Sequence, residues 1–285
     1  MEWGKAKQFV IVLLVLLNVI LAGLNYKQKQ ENVMTSAQER AIFEVLSRNG
    51  ITMYTDILTE FAPMSRITGE IPSYSKETME RLFFDSQKTT AIRKGDGMLY
   101  RREGASLLLN GTKGVWEDTG IALGKEGLER SKALLTAKEF LEGTEHFFGT
   151  YGEPVVQETK DGFEIQFYGT YKRDKVFSNT FSVFVTQNGI RKIAFDYCPI
   201  KGYQGEKKDI CYSDEALLTF MREWRKEKHD YEATIHRIEL GYGMTEGGTT
   251  TEELRTVELE PFYRIYLMEE EEPYLINAYT CQMIK

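Results

Sequence analysis

The sequence contains few of the residues that enzymes use for proton transfer and metal binding. It has only three histidines among 285 residues, His146, His229 and His236. None of them has a second histidine or a cysteine at the spacing of a metal-ligand motif, so the H-E-x-x-H and C-x-x-C patterns are missing. We therefore interpret each histidine as an ordinary surface or boundary residue and predict no bound metal.

Other catalytic patterns are missing as well. The densest acidic cluster, Glu269 to Glu272, precedes Pro273. Adjacent side chains cannot all face one cleft, so we interpret it as a solvated hairpin tip rather than a glycosidase carboxylate pair. Gly247 and Gly248 lack the Lys-Ser/Thr of a phosphate-binding loop, and no serine lies in a Gly-x-Ser-x-Gly setting. The sequence predicts a protein that is not an enzyme and needs no cofactor.

The chain also lacks basic charge and has little cysteine. Its formal net charge is −7, which argues against binding to nucleic acid or docking on anionic lipid. Three cysteines are too few for a disulfide scaffold. Cys198 and Cys211 bracket a predicted loop at 199–210 and could pair in an oxidising envelope. The alternative is that these two and Cys281 are three separate buried thiols.

One long apolar run is present, from Phe9 to Leu24. Counted from Trp3 to Tyr26, it forms a helix of about 35 Å, enough for a hydrocarbon core of about 30 Å. Trp3 and Tyr26 then lie at the two membrane interfaces, where amphipathic aromatic residues are enriched. The run is flanked by Lys5, Lys7, Lys27 and Lys29. We predict a single-pass membrane anchor.

A cleavable signal peptide is the alternative for this run. The small-x-small exit of such a peptide is missing, because cleavage after Ala22 puts Ile20 three residues back and cleavage after Gly23 puts Leu21 there. The short leader favours a cytoplasmic N-terminus and an extracytoplasmic bulk. The predicted boundaries are a cytoplasmic N-terminus at 1–8, a transmembrane helix at 9–26, a juxtamembrane linker at 27–36, and two α+β units at 37–123 and 124–285.

The predicted fold class is α+β, with an N-terminal transmembrane helix followed by an extracytoplasmic domain of repeated helix-plus-antiparallel-sheet units. Helices are predicted after Ser36, which has Glu39 in capping-box position, after Ser75, from Ser131 to Phe148 and from Ser213. Dipeptides ending in glycine, such as Asn110-Gly111, supply the positive φ of hairpin turns between short strands. The stretch 63–72 is predicted to be a loop.

One stripe of the anchor carries the polar residues Asn18 and Asn25. Its members recur at alternating four- and three-residue steps and are Ile11, Val15, Asn18, Ala22 and Asn25. Asn18 lies near mid-bilayer, where a buried amide tends to hydrogen-bond to another helix, and Ala22 permits close approach. We predict a helix–helix contact along this stripe. The alternative is that Asn18 is merely tolerated in an apolar helix.

The last two predicted strands are rich in tyrosine. A stacking platform for an envelope glycan or peptide would use Tyr263, Tyr266, Tyr274 and Tyr279. The alternative is ordinary cross-strand packing, since aromatic residues are favoured in sheets for that reason alone.

The chain begins with Met1-Glu2-Trp3-Gly4-Lys5-Ala6-Lys7 and runs straight into a single aliphatic span containing Asn18. Its closing strands contain Glu260 to Ile265 and Tyr274 to Tyr279. Both ends resemble the YycI family, the membrane-anchored regulators found beside the essential YycF/YycG (WalR/WalK) two-component system of low-GC Gram-positive bacteria, although Phe262-Tyr263 stands where some members carry a tryptophan.

This resemblance implies a bitopic membrane protein with an extracytoplasmic α+β domain. It implies a partner, a YycH-like protein, and a target, a sensor histidine kinase of the YycG/WalK type. Regulation would pass through contacts among their membrane helices and would restrain the kinase in cell-wall homeostasis. The alternative function that the residues leave open is an envelope glycan- or peptide-binding module anchored to the membrane.

Overall fold

A computed structural model describes residues 3–31, 33–227, 231–244, 256–270 and 272–284. The chain has a mixed α+β fold dominated by β-sheet, as the broad fold class predicts. The helices in the described residues are α1 (Trp3–Glu31), α2 (Ser36–Arg48), α3 (Lys76–Phe83), α4 (Arg130–Phe148) and α5 (Ser213–Glu227).

Fifteen strands are assigned within the described residues. In the N-terminal half they are β1 (Ile51–Met53), β2 (Met64–Glu70), β3 (Thr90–Lys94), β4 (Gly97–Arg102), β5 (Ala105–Asn110), β6 (Lys113–Asp118), β7 (Val155–Glu158) and β8 (Phe163–Tyr171). The remainder are β9 (Asp174–Thr186), β10 (Gly189–Asp196), β11 (Ile200–Lys208), β12 (Ala233–Met244), β13 (Thr256–Leu267), β14 (Tyr274–Asn277) and β15 (Gln282–Ile284).

The chain divides into two compact units, and both are discontinuous in sequence. Unit 1 contains residues 1–64, 207–239 and 263–285, and unit 2 contains 65–206 and 240–262. This division differs from the predicted boundary between residues 123 and 124. The reason is strand pairing: β6, which lies before that boundary, pairs antiparallel with β10, which lies after it.

Unit 2 contains an antiparallel meander with strand order β7-β8-β9-β10-β6-β5-β4-β3. Alternate side chains of β8 and β9 are buried, as a sheet with one covered face requires. Helices α3 and α4 supply apolar side chains to the same core, including Met79, Phe83 and Phe148. Gly114 is needed here, because a Cβ at that position would lie 2.1 Å from the Phe195 ring.

Two segments predicted to be loops are strands of unit 2. The stretch 63–72 contains β2, which pairs antiparallel with β13, and the stretch 199–210 contains β11, which pairs with β2. The prediction was wrong for both because they carry glycine and charged residues typical of loops. β11 is exposed along most of its length, so its sequence shows no alternation of buried and exposed residues.

Unit 1 contains α2 and α5 together with β1, β14, β15 and parts of β12 and β13. β1 pairs parallel with the start of β12, and β14 pairs antiparallel with β15. The N-cap of α2 is Thr35 rather than Ser36: the Thr35 hydroxyl accepts from the Gln38 N–H, and the Gln38 side-chain oxygen accepts from the Thr35 N–H at 2.9 Å. The capping box predicted for this helix therefore starts one residue earlier, with glutamine in place of glutamate.

Helix α1 begins before the predicted transmembrane boundaries and ends after them. Its described side chains are those of Lys7 and of residues 9–23. Within the part of the chain that the structure describes, no helix meets the combination of length and hydropathy that a membrane crossing needs.

Candidate functional site

The apolar side chains of α1 are exposed on every face of the helix. From Phe9 to Leu21 the large apolar side chains are 48–71% exposed. Burying such side chains is normally favourable by about 1.5–3 kcal/mol each. An apolar surface that runs all round a helix is typical of segments that another apolar phase covers.

Asn18 is the polar residue within this apolar surface. Its side-chain N–H donates to the Leu14 carbonyl oxygen, one turn back, at 2.9 Å. A carboxamide has a second N–H and a carbonyl oxygen, so this local bond leaves capacity for a bond to another helix.

The predicted stripe keeps its spacing because the helix is continuous through it. Ile11, Val15, Asn18 and Ala22 are all exposed and fall on one side of a helix with 3.6 residues per turn. The side chains of Asn25, Trp3 and Tyr26 lie outside the part of the chain that the structure describes, so the interface anchors stay a prediction.

The four tyrosines of the proposed platform lie in unit 1 and pack against protein. Tyr263 and Tyr266 are buried. Tyr274 packs edge-on against Phe220, with ring centroids 5.1 Å apart. The Tyr279 hydroxyl donates to the Met64 carbonyl oxygen at 2.9 Å. The buried rings of Tyr263 and Tyr266 present no open face for stacking, which favours packing at these two positions, whereas Tyr274 and Tyr279 are half-buried.

Unit 2 has a cavity of about 500 Å³ beside the C-terminal end of α4. Pockets of 300–1,000 Å³ are the usual size for small-molecule sites. The lining combines charged, aromatic and glycine-rich parts and consists of Lys138, Leu141, Glu142, residues 149–154 and Phe167. Gly149 has a positive φ of 69°, which ends α4 and opens the loop that forms one wall.

Tyrosine hydroxyls cluster near this wall. The hydroxyls of Tyr74 and Tyr151 are buried and have no hydrogen-bond partner among the described residues. A Cβ at Gly149 would lie 3.2 Å from the Tyr197 hydroxyl, so that phenol also approaches the loop. Burial raises the pKa of Tyr74, Tyr151 and Tyr197 above the ordinary tyrosine value, so all three stay neutral and able to donate.

The cysteines fall into two different environments. All three are free thiols, so no disulfide joins Cys198 to Cys211 in this structure. Cys198 lies in unit 2, where its sulfur contacts the Glu70 carbonyl oxygen at 3.5 Å and its backbone N–H donates to the Asn179 side chain at 3.0 Å. Burial raises the pKa of the Cys198 thiol to about 12.

In unit 1, Cys211 is paired with Cys281. The interaction between the two thiols raises the pKa of Cys211 and lowers that of Cys281. The Glu215 carboxylate joins them, and the ligand atoms of all three residues lie within 4.8 Å of one another. This cluster was not predicted from the sequence, because Cys281 lies 70 residues after Cys211. The one local signal was the four-residue spacing of Cys211 and Glu215 across a helix start.

Within the described residues, the acidic and histidine positions considered in the sequence do not belong to the cavity or to the cysteine cluster. Glu269 accepts a hydrogen bond from the Thr234 N–H at 3.0 Å, and the His236 ring lies 6.1 Å from the Tyr266 ring. His229, Gly247, Gly248 and Glu271 lie outside the described residues.

No family model matches the sequence, and no curated protein matches it; the YycI resemblance stays an expectation. Among solved structures, the chain is similar to an uncharacterized protein from Eubacterium rectale, with a TM-score of 0.58 and 10% identity over 83% of this chain and 91% of that one. This likeness shows a shared fold. The C-terminal domain of Bacillus megaterium YpeB aligns with a TM-score of 0.39 and 11% identity over 76% of this chain and 97% of that domain, too low to carry an argument.

Proposed function

We propose that the chain is a non-enzymatic, membrane-anchored regulator of a sensor histidine kinase of the YycG/WalK type. In this proposal α1 crosses the cell membrane once, with its start in the cytoplasm, and the rest of unit 1 and all of unit 2 lie outside. A YycH-like protein acts with it. The anchor also serves as the contact surface for the membrane helices of these partners.

The observation that carries the proposal is the all-round exposure of apolar side chains on α1. In the sequence the apolar run extends to Leu24, and the predicted interface residues Trp3 and Tyr26 flank it. The side chains of these three residues lie outside the part of the chain that the structure describes. A helix of this composition needs an apolar surrounding, and a lipid bilayer supplies one.

Asn18 and Ala22 support a role beyond anchoring. An amide in the bilayer tends to face another helix, and a small residue one turn away lets two backbones approach. The identity of the target rests on the resemblance to the YycI family alone.

A bacterial membrane two-hybrid assay of the full chain against the kinase tests this proposal. An interhelical amide hydrogen bond contributes about 0.6–2 kcal/mol, so Asn18→Leu should weaken association roughly 3- to 30-fold. Expression of the kinase's target genes should rise, because the restraint is released.

The matched control is Ile20→Leu, which changes an apolar residue on the opposite side of the helix. This variant should associate as the unchanged protein does. Equal association of the Asn18→Leu variant and the unchanged protein would show that the amide makes no contact with the kinase.

The cavity in unit 2 supports a second candidate function, binding of an envelope glycan or short peptide. Two charged atoms of the lining, Lys138 Nζ and Glu153 Oε2, lie 4.0 Å apart. The tyrosine hydroxyls described above lie near the wall that Gly149 forms. Charged groups with nearby aromatic rings suit polar ligands that carry both hydroxyl and apolar surfaces.

Thermal unfolding of the full chain in mild detergent, with and without soluble cell-wall fragments, tests this second candidate. Binding to the folded state should raise the melting temperature. Lys138→Ala should reduce that rise, and Lys132→Ala, an exposed lysine on the same helix outside the lining, should not. A melting temperature that no glycan or peptide fragment changes would remove the support for this candidate.

A further inference from the structure

Two thiols and one carboxylate converge in unit 1 from positions that are far apart in the chain. Cys211 precedes α5, Glu215 lies in the first turn of α5, and Cys281 lies in the turn between β14 and β15. Their sulfur and oxygen atoms lie within 4.8 Å of one another, and this is the group of three potential metal ligands found among the described residues. We propose that Cys211, Glu215 and Cys281 bind a thiophilic divalent cation, with Zn²⁺ as the preferred ion.

The donor set and its spacing fit this ion. Zn²⁺ binds cysteine sulfur at about 2.3 Å and carboxylate oxygen at about 2.0–2.2 Å with tetrahedral geometry, so neighbouring ligand atoms lie roughly 3.5–3.8 Å apart. Side-chain movements of about 1 Å or less would bring the three donors to that separation. Thiolate ligands also disfavour Mg²⁺ and Ca²⁺, which prefer oxygen.

The backbone that carries Cys211 is fixed from two sides. Its N–H donates to the Ala278 carbonyl oxygen at 2.7 Å, and its own carbonyl oxygen accepts from the Tyr263 hydroxyl at 2.7 Å. The Glu215 carboxylate accepts from the Tyr212 N–H through Oε2 at 3.0 Å, which leaves Oε1 for an ion. Hydrogen bonds of this kind orient the ligands of protein metal sites.

Cys281 is held in an unusual conformation. Its φ is +54°, a left-handed value that non-glycine residues adopt rarely. The Asn277 side chain holds the turn by accepting from the N–H groups of Tyr279 and Thr280 at 2.9 and 3.1 Å. The Thr219 side chain, one turn beyond Glu215 on α5, lies near the Cys281 sulfur. The turn therefore places Cys281 opposite the start of α5.

Charge and access are also compatible with an ion. Two thiolates and a carboxylate carry −3, and a divalent cation leaves −1, which the partial positive charge at the start of α5 stabilises. Glu215 is exposed, so water can complete the coordination. The two thiol protons leave to solvent when the ion binds.

The carboxylate distinguishes this site from a simple redox pair. A disulfide between Cys211 and Cys281 needs no third donor, yet Glu215 lies against both sulfurs. A disulfide is therefore the competing outcome that the experiment has to separate.

The test uses the full chain in detergent, reduced and stripped of metal, and titrates it with Zn²⁺ or Co²⁺ alone. We expect one ion per chain, thiolate-to-cobalt charge-transfer absorption, and protection of two of the three thiols from alkylation when Zn²⁺ is bound. Cys198→Ala should keep the stoichiometry and the absorption, and Zn²⁺ should then protect both remaining thiols, because Cys198 lies in unit 2.

Glu215→Gln should weaken Zn²⁺ binding at least tenfold and keep the fold, because the amide oxygen can still accept from Tyr212. The matched control is Asp214→Asn, which removes the same charge from the same helical turn and should leave Zn²⁺ affinity within about twofold. If both variants lose the same Zn²⁺ affinity, the loss comes from the missing negative charge at the start of α5. That result would overturn the assignment of Glu215 as a ligand.

The proposal fails if the reduced chain binds no stoichiometric Zn²⁺ or if alkylation is as fast with the ion as without it. It also fails if protein purified without reductant carries a Cys211–Cys281 disulfide that re-forms in air in the presence of excess Zn²⁺, because the pair is then a redox pair.

Discussion

Helices α1 and α5 are both rich in apolar residues but differ in what surrounds those residues. On α5 most apolar side chains lie on one face and are buried, including Leu217, Phe220 and Trp224, whereas Leu218 is exposed. On α1 they lie on all faces and are exposed from Phe9 to Leu21. Apolar area stabilises a fold only where it leaves water. The comparison therefore indicates that α5 helps to hold unit 1 together, whereas the described apolar side chains of α1 stay exposed; under the proposal above a membrane covers them.

The largest expected difference between the two helices is in folding stability. Phe220 is fully buried and packs against Trp224 and Tyr274, so Phe220→Ala should lower the free energy of unfolding by about 3–5 kcal/mol. The same change at the exposed Phe9 should lower it by less than about 0.5 kcal/mol. Urea unfolding of both variants in detergent checks this, and a comparable loss for Phe9→Ala would show that α1 packs into the fold.

Membrane association should show the opposite pattern. Leu17→Arg places a charge at the centre of α1, at a cost of about 2.5–3.5 kcal/mol for insertion, and should shift the chain out of the washed membrane fraction. Leu218→Arg, on the exposed face of α5, should leave the distribution unchanged. If the α1 variant stays in the membrane fraction as the α5 control does, α1 is not the anchor.

A smaller effect is expected where α1 gives way to the folded part of unit 1. Thr35 caps α2, so Thr35→Ala should cost about 1 kcal/mol of stability by denaturant unfolding. Ser36→Ala, at the next position, should cost less than about 0.5 kcal/mol. A larger loss at Ser36 than at Thr35 would restore the cap predicted from the sequence.

The last prediction concerns unit 2 and is a change in pH dependence, which appears only at alkaline pH. The Cys198 thiol has a pKa of about 12 in the folded chain against an ordinary value of 9.0. Between these values the unfolded chain has lost a proton that the folded chain keeps, so this contribution to stability is complete below pH 9 and is lost as pH rises towards 12. Cys198→Ala should therefore flatten the fall in unfolding free energy over that range, apart from its pH-independent packing cost. An unchanged slope would show that Cys198 does not contribute to it.

Local patterns in the sequence predicted much of the secondary structure. The apolar run, the apolar stripes of α4 and α5, and turns such as Asn110-Gly111 act between neighbours in the chain, so α1, α4, α5 and the β4–β5–β6 hairpins were recognisable. The polar strands β2 and β11 were not, because their pairing depends on partners far away in sequence. The two discontinuous units were missed for the same reason.

The candidate sites followed the same rule. The stripe on α1 was predictable because a single helix fixes its spacing. The meeting of Cys211 with Cys281 was not, since it depends on the turn after β14. The tyrosines of the last strands show the limit of composition: their hydroxyls bond to backbone and carboxylate groups of unit 1, and no local pattern separates such packing from an exposed platform.

The most direct test of the central claim is site-specific photo-crosslinking in living cells. A photo-reactive residue at position 15, on the stripe with Asn18, should crosslink to the membrane helices of the sensor histidine kinase or of the YycH-like protein. The same residue at position 13, on the opposite side of α1, should give at most weak crosslinks to them. Equal crosslinking from both positions, or none from position 15, would contradict the account.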